Sequence, residues 1–325
     1  MPQPTQSQVH VDAILTNISV AYMQRAENFI ADKVFPIVPV DKQSDKYFKY
    51  TKNDWLRDEA QVRADGTESV GSGYNITTDT YYADVYAIHK DVGDQTRANA
   101  DAPINVDREA AEFVTHRLLL RRELQFVSDY MTGGVWGTTA SGVASGASTG
   151  QFVQWNNYTT SDPITDIEEA KQEILSNTGY EANTLVLGYD TFRTLKHHPD
   201  LVDRIKYTSS QTITEDMLAR MFDIERVLVS KAVKATNAEG ASEAYSFATA
   251  KTAMLAHVAP SPGLLTPSAG YTFQWTGVSS GLGLTIGTSS FRIEELRATR
   301  IESELAFDNK VVGSDLGYFW KDAVA

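Results

Sequence analysis

The chain has no cysteine among its 325 residues. Disulfide staples, thiolate nucleophiles, zinc ribbons and iron–sulfur ligation are thereby excluded, and stability has to come from packing and association. It also has no run approaching eighteen apolar residues, and its first residues, MPQPTQSQVHVDAILTN, lack the basic-then-apolar pattern of a signal peptide. The reading is a soluble, unsecreted protein that does not meet a membrane. Positive charge is scarce as well: the formal charge is −13, and no polybasic tract breaks the interspersed acids and bases. Affinity for nucleic acid comes mainly from neutralising phosphates, so tight DNA binding is disfavoured.

What is present suffices for a folded body. Apolar residues make up 42% and charged residues 22% of the chain, close to globular averages, which argues against wholesale disorder. The length allows one large domain or two modest ones.

Residues 1 to 10 are rich in Pro, Gln and Ser and read as mobile, and Ile14, Leu15, Ile18 and Tyr22 recur at helical spacing after Asp12. In AENFIADKVFPIVPVDKQS, Pro36 and Pro39 forbid a helix interior, so the segment reads as an extended arm crossing a surface. Tyr81, Ala83, Val85 and Ala87 alternate with Tyr82, Asp84, Tyr86 and Ile88, and Tyr47 to Tyr50 can pair with them. A long hairpin between Lys46 and Lys90 results. Its middle is charged, glycine-punctuated and poor in aliphatics, and an isolated two-stranded ribbon is marginal in water. Such a ribbon needs another surface to hold it.

The stretch NVDREAAEFVTHRLLLRRELQFVSDYM predicts a helix over 105–131, with Asn105 or Asp107 as the cap and Gly133-Gly134 as the stop. Val106, Ala110, Phe113, Leu120, Leu124, Val127 and Met131 step by three and four to form the expected buried face, with Leu120 and Leu124 as core positions. Val114, Leu118 and Leu119 lie opposite. Apolar character on both sides, over fewer than four heptads, suggests packing against a sheet rather than a coiled coil.

Beyond the Gly/Ser/Thr-rich loop after residue 132, Thr165-Asp-Ile-Glu168 has the form of a capping box opening a helix that Gly179 closes. Short strands at 184–187, 226–229, 245–250 and 253–258 alternate with short helices at 190–196, 199–205 and 215–222, a small α/β or α+β lobe. Near the end, Thr299, Ile301, Ser303, Leu305 and Phe307 share one face of a strand whose other face carries Arg300, Glu302 and Glu304.

Catalytic signatures lack their contexts. Gly146-Ala-Ser148-Thr-Gly150 lies in low-complexity loop, and no histidine follows Ser279 of Gly277-Val-Ser279-Ser-Gly281, as a nucleophile elbow requires. Gly281-Leu-Gly283-Leu-Thr-Ile-Gly287 misses the dinucleotide fingerprint by one residue. His197-His198-Pro199-Asp200 has no spaced third ligand and reads as a helix-ending turn. Asp58/Glu59 and Glu168/Glu169 read as solvated carboxylates.

Several strings carry a resemblance to a known family: DAILTNISVAYMQRAENFIADKVFPIVPVDKQSDKYFKY, NTLVLGYDTFRTLKHHPDLVDRIKY, LARMFDIERVLVSKAV and ATRIESELAFDNKVVGSDLGYFW. In this order, and over nearly the whole chain, they resemble tailed-bacteriophage major capsid proteins. The resemblance implies an α+β capsid fold: an amino-terminal arm at 1–40, an extended β-hairpin loop at 41–92 and a peripheral domain at 93–159 containing the spine helix 105–131. An axial α/β domain at 160–275 and a return to the peripheral domain at 276–325 complete it. It implies no catalytic, metal or cofactor-binding residue. The implied function is a virion coat subunit forming hexamers and pentamers of an icosahedral shell around double-stranded DNA, assembled in the host cytoplasm. A separate scaffolding protein, a portal and a decoration protein are the implied partners. Within the loop, Trp55, Leu56 and Val62 are the expected anchors on neighbouring subunits, and Arg57 and Arg63 the expected rim ion pairs. An acidic shell suits a genome that must slide in and leave. Encapsulin-type compartments share the fold but usually begin with a cargo-facing helix, so the Pro36/Pro39 passage favours the phage reading; a hydrolase using Ser279 is the rival from another class.

Overall fold

The computed structural model describes residues 24–100, 104–205, 213–278 and 287–325. The helical spacing at 14–22, Ser279 and the glycines Gly281 and Gly283 lie outside them. In chain order the strands are β1 (Ile37–Val40), β2 (Ser44–Tyr50), β3 (Ile76–Tyr82), β4 (Asp84–Gly93), β5 (Thr138–Val143), β6 (Gln151–Val153), β7 (Thr184–Gly188) and β8 (Arg226–Ser230). They continue with β9 (Val233–Ala235), β10 (Tyr245–Phe247), β11 (Ala253–Ala256), β12 (Gly270–Trp275), β13 (Gly287–Ile293), β14 (Ala298–Val311) and β15 (Gly317–Lys321). The α-helices are α1 (Lys52–Leu56), α2 (Asp94–Asn99), α3 (Val106–Tyr130), α4 (Pro163–Thr178), α5 (Tyr189–Lys196), α6 (Pro199–Ile205) and α7 (Glu215–Met221).

Two sheets carry the body. One is organised by β14: β4 pairs antiparallel with it from Ala298↔Gly93 to Phe307↔Asp84, while β13 and then β12 take its other edge, and β1 runs parallel to β12. The other has the order β6-β5-β15-β11-β7-β8. Strand β7 is buried on both faces, and its alternation divides the interior: Leu185 and Leu187 face α4 and Trp320, while Val186 faces Phe126, Tyr130 and residues 30–35. Burying both faces makes the strand read as a continuous apolar run.

The long helix forms from Val106 to Tyr130, with the Asn105 side chain accepting from the Arg108 N–H as predicted. Its buried face differs from the expected one. Val106, Ala110, Val114, Leu118, Arg122, Phe126 and Tyr130 are buried at four-residue steps, whereas Leu120 and Leu124 are half-buried beside Phe29 and Ala248, and Phe113 is exposed. The physical reason is that three neighbours share the helix. Strands β4 and β14 take its first half, the second sheet takes its last turns, and the entering chain covers a flank.

The entering chain is also corrected. Pro36 and Pro39 do impose an extended path, but the segment does not merely cross a surface, since Phe29, Ile30, Ala31, Val34 and Phe35 are all core residues. Glu123, fully buried on α3, accepts from the Ile30 and Ala31 N–H groups at 2.9 Å each and from Ser230 Oγ at 2.9 Å. Arg226 donates to the Lys33 and Val34 carbonyls at 3.0 and 2.9 Å. Charged groups thus satisfy backbone that enters the core outside any sheet.

The hairpin has a different return strand from the one expected. Its strands pair from Ser44↔Tyr82 to Tyr50↔Ile76, and past Ala83 the chain crosses into the β14 sheet as β4. At α4 the cap is Asp162, accepting from the Ile164 and Thr165 N–H groups with Pro163 at the first position, in place of the Thr165 box; Gly179 closes the helix at φ 78°. The division at residues 40, 92, 159 and 275 remains a proposal. Strand pairing crosses it: β4 lies in the β14 sheet, β5, β6 and β15 join β7 and β11, and β12 joins β14.

Candidate subunit-contact surface

Residues 44–82 form the ribbon that leaves the body. Its root is fastened by aromatic packing: the Tyr81 ring stacks on Phe273 at 4.6 Å and 9°, and Tyr47 lies 5.3 Å from the same ring. Tyr47 donates its hydroxyl to Asp79 Oδ2 at 3.1 Å; burial first, then the Asp79 charge, push that phenol well above its usual range. The Tyr82 N–H donates to Asp308 Oδ2 at 2.8 Å, joining ribbon to β14. Further out, Lys52 reaches Asp315 of the body at 2.6 Å, an exposed ion pair of small individual worth.

Beyond Lys52 the ribbon's contacts among the described residues are its own. Asp54 accepts from the Asn75 N–H at 2.9 Å and closes the base of the loop. Trp55 sits between Tyr50, at 6.1 Å edge-on, and Tyr74, at 5.5 Å, yet remains 56% exposed. Leu56 is 60% exposed, and Val62 stands clear of the protein altogether. Arg57 pairs with Glu59 at 3.0 Å, and Arg63 donates to the Thr67 carbonyl. Of the five residues singled out from the sequence, Trp55 is thus shared between its own aromatic trio and solvent. Leu56 and Val62 are apolar groups without a packed surface, and both arginines bond inside the ribbon.

Five further exposed apolar side chains of the ribbon were missed: Phe48, Val70, Tyr74, Ile76 and Tyr82. The signal for the first was available, because Tyr47 and Phe48 are adjacent in KYFKY and so point to opposite faces of the strand, only one of which can pack on the body. Tyr74 and Val70 carry no such pattern, since their exposure depends on where the loop bends.

The body also brings together Ser161, His198 and Asp200, a trio that resembles hydrolytic machinery but is wired otherwise. The Asp200 N–H donates to His198 Nδ1 at 3.4 Å, which leaves the ring proton on Nε2, facing Ser161 Oγ at 3.0 Å. Ser161 in turn donates to the Asn157 carbonyl at 2.7 Å. A nucleophilic serine requires the reverse polarity, with Nε2 accepting. Burial also lowers the His198 pKa, keeping the ring neutral inside a wholly enclosed turn. Ser148, from the first GxSxG string, donates to Gln151 Oε1 at 2.8 Å within the turn between β5 and β6.

No protein-family model matches the chain. Two phage proteins named Major capsid protein are related to it in sequence. That of Burkholderia phage BcepMu is 27% identical over 321 residues, covering 95% of each chain. That of Pseudomonas phage JBD67 is 25% identical over 224 residues, 68% of this chain and 69% of its own. In sequence the chain is similar to phage major capsid proteins over most of its length. Solved structures agree on the fold. A phage-related protein from Bordetella bronchiseptica RB50 superposes with a TM-score of 0.67 at 24% identity, covering 92% of this chain and 94% of that one. The capsid of cyanophage P-SCSP1u follows at 0.63 and 10% identity, over 96% and 92%. The SrpI encapsulin complex of Synechococcus elongatus PCC 7942 reaches 0.58 at 11% identity, over 96% and 95%. The capsid-protein fold expected from the sequence is borne out, and because encapsulins share it, fold alone does not separate the two readings.

Proposed function

We propose that this chain is the coat subunit of an icosahedral phage shell, arranged in hexamers and pentamers around double-stranded DNA. The observation that carries the reading is the sequence kinship with a phage Major capsid protein over 95% of both chains. The ribbon supplies the physical means. Burying Trp55, Leu56, Val62 and Val70 on a neighbour would return about 1.5–3 kcal/mol each before entropy costs. Repeated cyclically, modest contacts of this kind close rings and then a shell. A separate scaffolding protein, a portal and a decoration protein would accompany the subunit, which would assemble in the host cytoplasm and end in the virion without meeting a membrane. The kinship to phage proteins favours this role over an encapsulin compartment.

The test is excision of the ribbon tip. Tyr50 and Ile76 are register partners, so Thr51–Asn75 can be replaced by Asn-Gly as a tight turn. The expected subunit melts cooperatively near the intact chain's midpoint, since among the described residues only the Lys52–Asp315 ion pair with the body is lost, yet forms no closed shells by negative-stain microscopy. Intact chain that forms no cages at high concentration, or tip-less chain that assembles normally, would refute the reading.

A further inference from the structure

In a chain carrying a formal charge of −13, three cations stand together without a carboxylate partner among the described residues. Lys90 Nζ lies 5.5 Å from the ring centre of Phe113, and the Arg117 guanidinium lies 5.0 Å from the same ring. The Arg121 guanidinium lies 4.9 Å from the ring of Tyr86 and donates to Gln125 Oε1 at 2.9 Å. Phe113, Arg117 and Arg121 are all exposed and follow one another at four-residue spacing along α3, spanning about 12 Å. Tyr86 and Lys90 share the helix-facing side of β4, because their β14 partners, Leu305 and Ile301, are buried there.

A ring face holds a cation in place without neutralising it. Each guanidinium therefore keeps most of its N–H edge for an anion, and a planar fork suits a phosphate. The opposite side of the same sheet has the contrary character. There Arg300 is consumed by Asp91 at 2.8 and 2.9 Å, leaving Glu302 and Glu304 in excess. Along the Lys90, Arg117 and Arg121 stretch the lobe is thus cationic on the helix side, beyond Glu109 and the Arg108–Glu112 pair, and anionic on the other, the polarity suited to a wall with a polyanion on one side only.

We propose that Lys90, Arg117 and Arg121 form a contact strip for the phosphodiester backbone of the enclosed nucleic acid, and that the exposed side of α3 lines the interior of the shell. The assignment rests on the coat-subunit reading. Three phosphate contacts give a salt slope, in log K against log salt, of about −2.7, a loss of roughly 40-fold between 50 and 200 mM salt. Binding this weak and this salt-sensitive holds a packed duplex without arresting it.

The experiment is fluorescence anisotropy of a labelled 30-base-pair duplex titrated with purified full-length subunit across that salt range. Wild type should bind at 50 mM salt with the slope above. R117Q/R121Q should weaken binding and bring the slope to about −0.9, while Arg108→Gln, whose partner is Glu112 on the same helix, should leave it unchanged. Matching thermal melts establish that the variants fold. Absence of wild-type binding at 50 mM salt, or an unaltered slope in the double variant, overturns the strip. So does a double variant that loses only self-association, which would assign the cations to the acidic side of a second copy. Shell formation is scored on separate concentrated samples: protein that forms cages but whose unassembled subunit has a DNA slope indifferent to both arginines refutes this inference alone, whereas wild type that forms no cages refutes the coat-subunit reading beneath it.

Discussion

Removing the Glu123 carboxylate should release the entering chain from the core. Glu123 has no solvent exposure, and its two oxygens take three hydrogen bonds: Ile30 N–H and Ala31 N–H on Oε2, Ser230 Oγ on Oε1. Burial pushes its pKa up, while the three donors pull it down, so the site sets a desolvation cost against charge-assisted bonds. Glu123→Ala leaves two buried backbone N–H groups unpaired, at about 1–3 kcal/mol each, and adds a void. The total is about 3–5 kcal/mol, comparable to deleting one member of a buried charged network. Glu123→Gln behaves differently: one amide oxygen still accepts both N–H groups, and the Ser230 hydroxyl can turn to accept from the new NH2. Relief of the buried charge offsets the weaker bonds, and the cost falls to about 1–2 kcal/mol. Urea unfolding provides the comparison, together with limited trypsin digestion at Lys33, which is protected only while Val34 and Phe35 stay docked. Equal losses for Ala and Gln, or an Ala variant within 1 kcal/mol of the parent at unchanged Lys33 cleavage, would refute the clasp.

Two other outcomes follow from the same interior. Leu118→Ala, between Leu305 and Phe307, should cost about 2–5 kcal/mol in urea unfolding, and Leu120→Ala, half-buried, about 1–2; the reverse order would mean the helix face is misplaced. Burial lifts Asp166 to about 6, against the opposing pull of the Trp155 Nε1–H bond at 2.8 Å. A folded pKa above the unfolded one means the folded chain binds the extra proton between about pH 4 and 6, so this group adds stability as pH falls from 7 to 4. Asp166→Asn keeps an oxygen for Trp155 and should be more stable than the parent at pH 7 by about 1–2 kcal/mol after solvent screening. That advantage should vanish by pH 4, and a difference constant with pH would refute the assignment.

Local features were legible where local chemistry decides them. Asn105 caps α3, Gly179 closes α4 in the left-handed region, Pro199 opens α6, and His197 ends α5, each through groups within a few residues of one another. Four-residue and two-residue periods marked the long helix and β14 correctly as elements. The contact surface was half legible: the paucity of aliphatics between residues 51 and 75 flagged a segment without its own core, and Leu56 and Val62 are indeed uncovered. Val70, Tyr74 and the aromatic trio around Trp55 became visible only with the loop's path.

The sequence by itself determined that there is a long helix, an unpacked ribbon, an α+β body and a chain without disulfides, because propensity, capping and periodicity act over a few residues. Tertiary structure alone decided that β4 leaves the hairpin for β14, more than two hundred residues away, and that Val114 and Leu118 rather than Leu120 and Leu124 face the core. It alone turned Glu123, one charge among many on an amphipathic helix, into a buried anchor. Such outcomes depend on which distant surfaces meet, and burial is a property of the meeting rather than of either segment.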